Sequence, residues 1–420
     1  MKKKIKIAIF HCGFVYSGGG ERIVLEEAKG LKDRGFEVEV FAPTLDKKKC
    51  YPSDVKNLNV KTFLPQLPSF IPGSHAILMV LSSLFAPLLA FRFKDIDIFI
   101  GANQPGAWIA FCVAKVLKKP YFVYLNQPNR LLYPRKIDEK VNWQNLSEYY
   151  FIDNLIKKLR FFVSWADRIS FTKGKFMFVN GNYIGKIIEN IYKKPALVCP
   201  AGAYPQSFDK LKINPNTAYE GILEIKNKKG DILKIERPYI LITNRHIPQK
   251  KFEYGIEAFE KVFKKNKKIK LVISGPFTPY TQELIELTKK LKINDQTIFT
   301  KEISEETLQE LYRNAACYIY TAPDEDFGMG IIEAMGWGVP VVAWNFAGPT
   351  VTVLDGKTGF LARPYDVSDF AKKIMRVLED PKKRSEMGKN AWEHVEDNFS
   401  WEKHVDILEK NIQSLLLNKI

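Results

Sequence analysis

Two glutamates eight residues apart, Glu325 and Glu333, bracket a glycine-rich turn in EDFGMGIIEAMGWGVPVVAWNFAG, residues 325–348. The stretch reads as the mouth of a loop running into a helix that starts near Gly328 and carries Glu333. The first N–H groups of a helix lack intrahelical partners and carry partial positive charge, so such an end suits a sugar hydroxyl or a diphosphate. Flanking carboxylates would accept hydrogen bonds from the donors of a polyol. By themselves, the same residues also describe a solvated helix start. A second block, ILITNRHIPQKKFEYGIEAF, sets Arg245 and Lys250 just beyond a strand, where alone they read as surface charges of a lysine-rich chain. A third feature is the run Gly18, Gly19 and Gly20, between the first strand and a helix. Three glycines let the backbone approach a ligand closely, or simply form a flexible turn.

Elements that could hold these groups alternate along the chain. IKIAIF, a helical stretch over 21–35, EVEVFAP, DIFIGA and YFVYLN give a strand and helix rhythm. YILITN, IKLVISG, TIFT, CYIYTA and GVPVVAW repeat it, with helices over 253–265 and 304–315. Such alternation predicts an α/β chain of two Rossmann-like, doubly wound domains. These would face each other across a cleft at the carboxyl ends of their sheets, where open α/β folds bind ligands. Four prolines between 195 and 215 mark the boundary. The domains expected are 1–200 and 201–390, with a helical tail over 391–420 packing back on the first.

The bulk properties narrow the class. A chain of 420 residues, 46% hydrophobic, is long enough for two or three domains. Five scattered cysteines form no CxxC pair and suggest neither a zinc knuckle nor a disulfide framework. Net charge is +17, and residues 1–200 hold 31 Lys+Arg against 16 Asp+Glu, whereas residues 201–420 hold 33 against 31. Excess charge on one half points to an anionic partner such as a membrane leaflet or a phospholipid-linked acceptor, or to a solvated face in a lysine-rich chain. The basic amino end has too short an apolar run for a signal peptide and reads as a first buried strand. Residues 76–93 are strongly apolar but contain Pro87 and Arg92, so they read as a buried or interfacial helix, not a span.

The motif with two glutamates and its GVPVVA tail resembles the signature of the retaining glycosyltransferases of family 4, whose fold is the two-domain GT-B type. The resemblance implies that Glu325 meets the transferred sugar and Glu333 the nucleotide ribose, with the backbone of Phe327, Gly328 and Met329 cradling sugar and phosphate. NRHIPQK is similar to the family's G-R-x-x-x-x-K element, with Asn244 in place of its glycine. Arg245 and Lys250 then bind the diphosphate and neutralise it as it leaves, so no divalent metal and no cofactor is implied. YSGGGER resembles the family's GG-x-E-R element, so Gly18, Gly19, Gly20 and Glu21 would close over the donor and shape the acceptor side. KEISEETLQELYRNAACYIYTA resembles the base-holding segment, with Ile303 as its contact.

Two positions depart from the family pattern. YLNQPNR keeps Arg130 but has Asn126 where many relatives have histidine, and asparagine cannot carry a proton at pH 7. Val351 stands where relatives often have glutamate. His11 and His246 are read as structural. The expected enzyme is a hexosyltransferase that moves a sugar from a nucleotide diphosphate carrier to a glycan or polyprenyl-linked acceptor by same-face substitution. GGGER and NQPNR look most like mannosyltransferases, which favours GDP-mannose over a UDP-sugar. The expected location is cytoplasmic, peripheral at the inner face of an anionic membrane. The rival readings are a sugar-nucleotide epimerase of the same fold, a silent sugar-binding partner subunit, and a nucleic-acid-binding protein; nucleic acid is not the expected partner.

Overall fold

β1 (Lys6–Phe10) is buried at every residue after Lys6, the pattern of a parallel strand covered by helices on both faces. The computed structural model describes residues 4–68, 70–71, 73–141, 158–204, 221–227, 230–301 and 303–417. Two compact units result, Met1–Ala201 with Trp401–Ile420, and Gly202–Ser400.

In the first unit β1 is joined by β2 (Glu37–Ala42), β3 (Lys61–Thr62), β4 (Ile98–Ala102), β5 (Tyr121–Leu125), β6 (Met177–Val179) and β7 (Leu197–Val198). All pair in parallel, in the order β3-β2-β1-β4-β5-β6-β7. The order reverses between β1 and β4, so the loops leaving their carboxyl ends open a crevice there. Gly106, which starts the helix Gly106–Leu117, permits close packing beneath that crevice. A Cβ on it would lie 2.2 Å from the Phe10 carbonyl oxygen. Phe10, Phe41, Phe63, Phe93 and Phe99 fill the core beside it with ring contacts that are mostly edge-on.

The apolar stretch 76–93 is not one helix. Ser74–Leu84 and Ala86–Phe93 meet at a bend of 68°, with Pro87 in the first turn of the second piece. Among the described residues no single helix is long and apolar enough to cross a membrane.

The tail is likewise two helices, Pro381–Asn398 and Trp401–Leu417. Residues 391–400, read from the sequence as part of a returning segment, stay with the second unit, because Met387, Ala391 and Val395 continue one buried face. Trp401–Leu417 does return and packs on the helix Gly19–Asp33, with Val405 against Gly30. Arg34 pairs there with Asp406 and Glu409. Deeper in, His404 Nε2 lies 3.3 Å from Glu27 Oε1 and Nδ1 lies 2.8 Å from the Pro200 carbonyl. Both partners only accept, so both ring nitrogens donate and the imidazole is charged. Burial alone would lower its pKa, but the Cys199 thiol and the Glu27 carboxylate raise it to about 10.

The second unit opens with an antiparallel hairpin, β8 (Gly221–Lys226) and β9 (Ile232–Arg237). β10 (Tyr239–Thr243), β11 (Lys270–Ser274), β12 (Thr297–Thr300), β13 (Cys317–Tyr320), β14 (Val341–Trp344) and β15 (Gly359–Ala362) then form a parallel sheet in the order β12-β11-β10-β13-β14-β15. Here the reversal lies between β10 and β13.

Candidate active site

In the second unit the expected donor residues gather at that reversal. Arg245 and Lys250 leave the carboxyl end of β10, and Glu325 follows β13. Lys250 Nζ lies 2.8 Å from Glu325 Oε2, and both side chains are largely buried. The Tyr320 hydroxyl donates to the same carboxylate oxygen at 2.6 Å. Glu333, on the helix Met329–Gly336, accepts from the Tyr312 hydroxyl at 3.0 Å. That hydroxyl also meets Thr243 Oγ1 at 2.8 Å, and Thr243 meets the Tyr318 hydroxyl at 2.9 Å. All three tyrosines are buried, and burial together with the neighbouring carboxylates pushes Tyr312 and Tyr320 well above the usual phenol range. They therefore stay protonated, Tyr312 donating to Glu333 and Tyr320 to Glu325.

Backbone packing shapes the same site. Gly328 caps the helix in the left-handed region at φ 94°, which a side chain would strain. Phe327 is buried and packs edge-on against Phe399. Gly348 holds the 325–328 loop in place: its N–H donates to the Glu325 carbonyl at 2.7 Å, and a Cβ on it would lie 2.5 Å from the Phe327 nitrogen. Ile303 bridges to Asn227 beside the β8–β9 hairpin, just before Ser304 caps the helix Glu305–Asn314. His246 is not available for proton transfer. It sits among Phe252, Phe277 and Phe299, bonded to Thr281 at 3.0 Å, and burial lowers its pKa to about 4.

The residues expected on the acceptor side, Glu21, Asn126 and Arg130, and the glycines Gly18, Gly19 and Gly20 expected at the donor, lie in the first unit beyond the carboxyl ends of β1 and β5. The helix expected to begin after the glycines starts at Gly19, so Gly19 and Gly20 form its first turn and Gly18 its cap. With no side chain, Gly20 lets Asn126 come close; a Cβ there would lie 3.2 Å from Asn126 Nδ2. Asn126 N–H donates to Asn103 Oδ1 at 3.1 Å. Glu21 is buried beside His11, and Arg22 stacks over the Tyr51 ring. Arg130 reaches the Tyr133 carbonyl at 3.4 Å. Its loop is anchored by a residue that no sequence motif marks. Asp167 is buried and accepts from Tyr192, Gln104 and Asn129. Burial outweighs those bonds and raises the Asp167 pKa to about 6. The tyrosines were missed too, although Tyr318 and Tyr320 alternate on β13 as residues on one face must.

Comparison with known proteins agrees with this layout. A model described as Glycosyltransferase Family 4 matches residues 17–196, and one described as Glycosyl transferases group 1 matches 224–394. The alpha-1,3/1,6-mannosyltransferase ALG2 of Dictyostelium discoideum is 28% identical over 99% of each chain, and that of Homo sapiens is 24% identical over 95% of this chain and 94% of its own. Among solved structures, sucrose-phosphate synthase from Thermosynechococcus elongatus superposes with a TM-score of 0.73 at 19% identity, over 99% of this chain and 100% of its own. Anabaena HepE in complex with UDP gives 0.70 at 15% identity, over 98% and 100%. Two doubly wound domains with these matched halves make the chain a glycosyltransferase of the GT-B fold. Within that class it belongs to the glycosyltransferases whose amino half is of Family 4 and whose carboxyl half is of group 1.

Proposed function

We propose that the chain is a retaining mannosyltransferase that takes mannose from GDP-mannose and delivers it to a lipid-linked glycan. The observation that carries this reading is the Lys250 to Glu325 pair, joined by Tyr320, at the carboxyl ends of β10 and β13. A cation for a leaving diphosphate and a carboxylate for sugar hydroxyls thus stand side by side. The mannosyl preference rests on the relatives named above. In this reading Arg245 and Lys250 stabilise the charge that builds on the leaving phosphate, which removes the need for a divalent metal at the donor. Glu325 orients the sugar as it gains oxocarbenium character. Glu333 holds the ribose, the backbone of Phe327, Gly328 and Met329 the sugar and phosphate, and Ile303 the base. The acceptor hydroxyl enters on the face the diphosphate leaves; Gly18, Gly19 and Gly20 are assigned to the donor, and Glu21, Asn126 and Arg130 to the acceptor side.

Arg245→Ala should cut turnover by about a hundredfold or more, the cost of one donor to a developing anion, while the folded signal persists. Near-normal turnover would refute the assignment. GDP should raise the unfolding temperature more than UDP at equal concentration. Product analysis without acceptor separates transfer from epimerisation.

The location we propose is peripheral, at the cytoplasmic membrane face. Leu84, Phe85, Leu88 and Phe91 are exposed on the bent helix pair, and Phe161, Phe162 and Trp165 on the helix Arg160–Thr172. Lys94, Lys158 and Arg160 are exposed on the same segments. Both helices pack against Gly106–Leu117, and Trp108 touches Trp165, so the aromatics border one region. Co-sedimentation with anionic vesicles at low salt tests this; its absence refutes it.

A further inference from the structure

We propose a Zn2+ site at the carboxyl end of β1, formed by His11, Cys12 and Glu21. Ligand atoms from the three side chains lie within 4.8 Å of one another. His11 Nε2 is 3.5 Å from Cys12 Sγ and 3.8 Å from Glu21 Oε1. Zinc bonds of ~2.0–2.3 Å in tetrahedral directions place ligand atoms about 3.4–3.6 Å apart. Two edges of the ligand triangle therefore fit nearly as they stand, and the third, no longer than 4.8 Å, closes with a shift of about 1.2–1.4 Å at most.

Chemistry and setting select the ion. A thiolate and an imidazole favour Zn2+ over Mg2+ or Ca2+, which take oxygen donors. Three protein ligands leave a fourth position for water or a substrate oxygen. His11 and Glu21 are buried while Cys12 is partly exposed, so an ion enters past the thiol. The ligands are held in place from two elements. His11 N–H donates to the Phe41 carbonyl at 3.0 Å, and Glu21 sits in the first turn of Gly19–Asp33.

Bound zinc would tie the strand end to the helix start, fixing the loop between them next to Gly20 and Asn126.

The test uses the full chain after chelation and dialysis, titrated with ZnCl2 and, separately, CoCl2. One equivalent of Zn2+ should bind and raise the unfolding temperature, and Co2+ should produce the thiolate-to-metal charge-transfer band that only a cysteine ligand gives. Cys12→Ser should abolish the band. Glu21→Gln keeps the thiol and decides the matter if Cys12→Ser does not fold: its Zn2+ affinity should fall at least about tenfold, as it does for lost partners even outside the first coordination sphere. Absence of the band in the parent chain, its persistence in Cys12→Ser, or unchanged affinity in Glu21→Gln would overturn the proposal.

Discussion

Replacing His404 by glutamine should weaken the first unit far more than a change of similar size at its surface. Glu27 is fully buried, and its Oε1 has His404 Nε2 at 3.3 Å. His404→Gln keeps the volume and a donor but removes the charge, stranding a carboxylate in the interior. Breaking a buried pair in this way costs about 3–5 kcal/mol. The rise of the His404 pKa from 6.5 to about 10, raised by Cys199 first and Glu27 after it, points in the same direction. The sign follows from linkage: a folded pKa above the unfolded one stabilises fully below pH 6.5, and that stability is lost as pH rises through 10. Because the chain has two units, a single melting curve mixes them, so the suitable assay is native-state hydrogen exchange at β1 and β4 amides. His404→Gln should speed their exchange about a hundredfold or more at pH 7, and Glu27→Gln added to it should recover most of the loss. A loss below about 1 kcal/mol with no pH dependence between 7 and 10 would refute the charged-pair reasoning.

Other outcomes follow from single groups. Asp167, whose pKa is raised from 3.8 to about 6, holds stability fully below pH 3.8 and loses it as pH climbs through 6. Asp167→Asn should therefore remove about 3 kcal/mol of pH dependence across that window, read by native-state hydrogen exchange at β4 and β5 amides at each pH. Gly348→Ala would push a methyl into the Phe327 nitrogen at 2.5 Å, so the donor KM should rise about tenfold, for a strain of about 1–3 kcal/mol, with the sheet intact by circular dichroism. Tyr312→Phe deletes the hydroxyl that holds Glu333, and GDP affinity by calorimetry should fall about tenfold, the worth of one bond to a charged group.

The parallel sheets were legible because strands buried on both faces leave runs such as IKIAIF and YILITN that few other elements produce. The two-glutamate loop was legible because its spacing matches a known pattern, and Lys250 and Glu325 do meet. The tyrosine network was not, since Thr243 and Tyr312 are 69 residues apart and local periodicity carries no trace of their bond. The bend at Phe85 was hidden for a different reason. Pro87 can sit in the first turn of a new helix as readily as it can interrupt an interfacial one, and only tertiary packing chooses. The start of the returning tail was set at 391 and not 401 because amphipathic character runs unbroken from Pro381 to Asn398.

The helix Trp401–Leu417 leaves the ribosome after the whole second unit, yet it completes the unit whose sheet was synthesised before it. The second unit is contiguous, while the first must wait, with Glu27 and the neighbouring helix face uncovered, until that helix has emerged. Premature termination within the codons of Trp401–Leu417 would thus spare the unit made later and cripple the unit begun earlier. A quality-control protease that reads exposed apolar surface would find its substrate at the amino end of the polypeptide, far in sequence from the lesion.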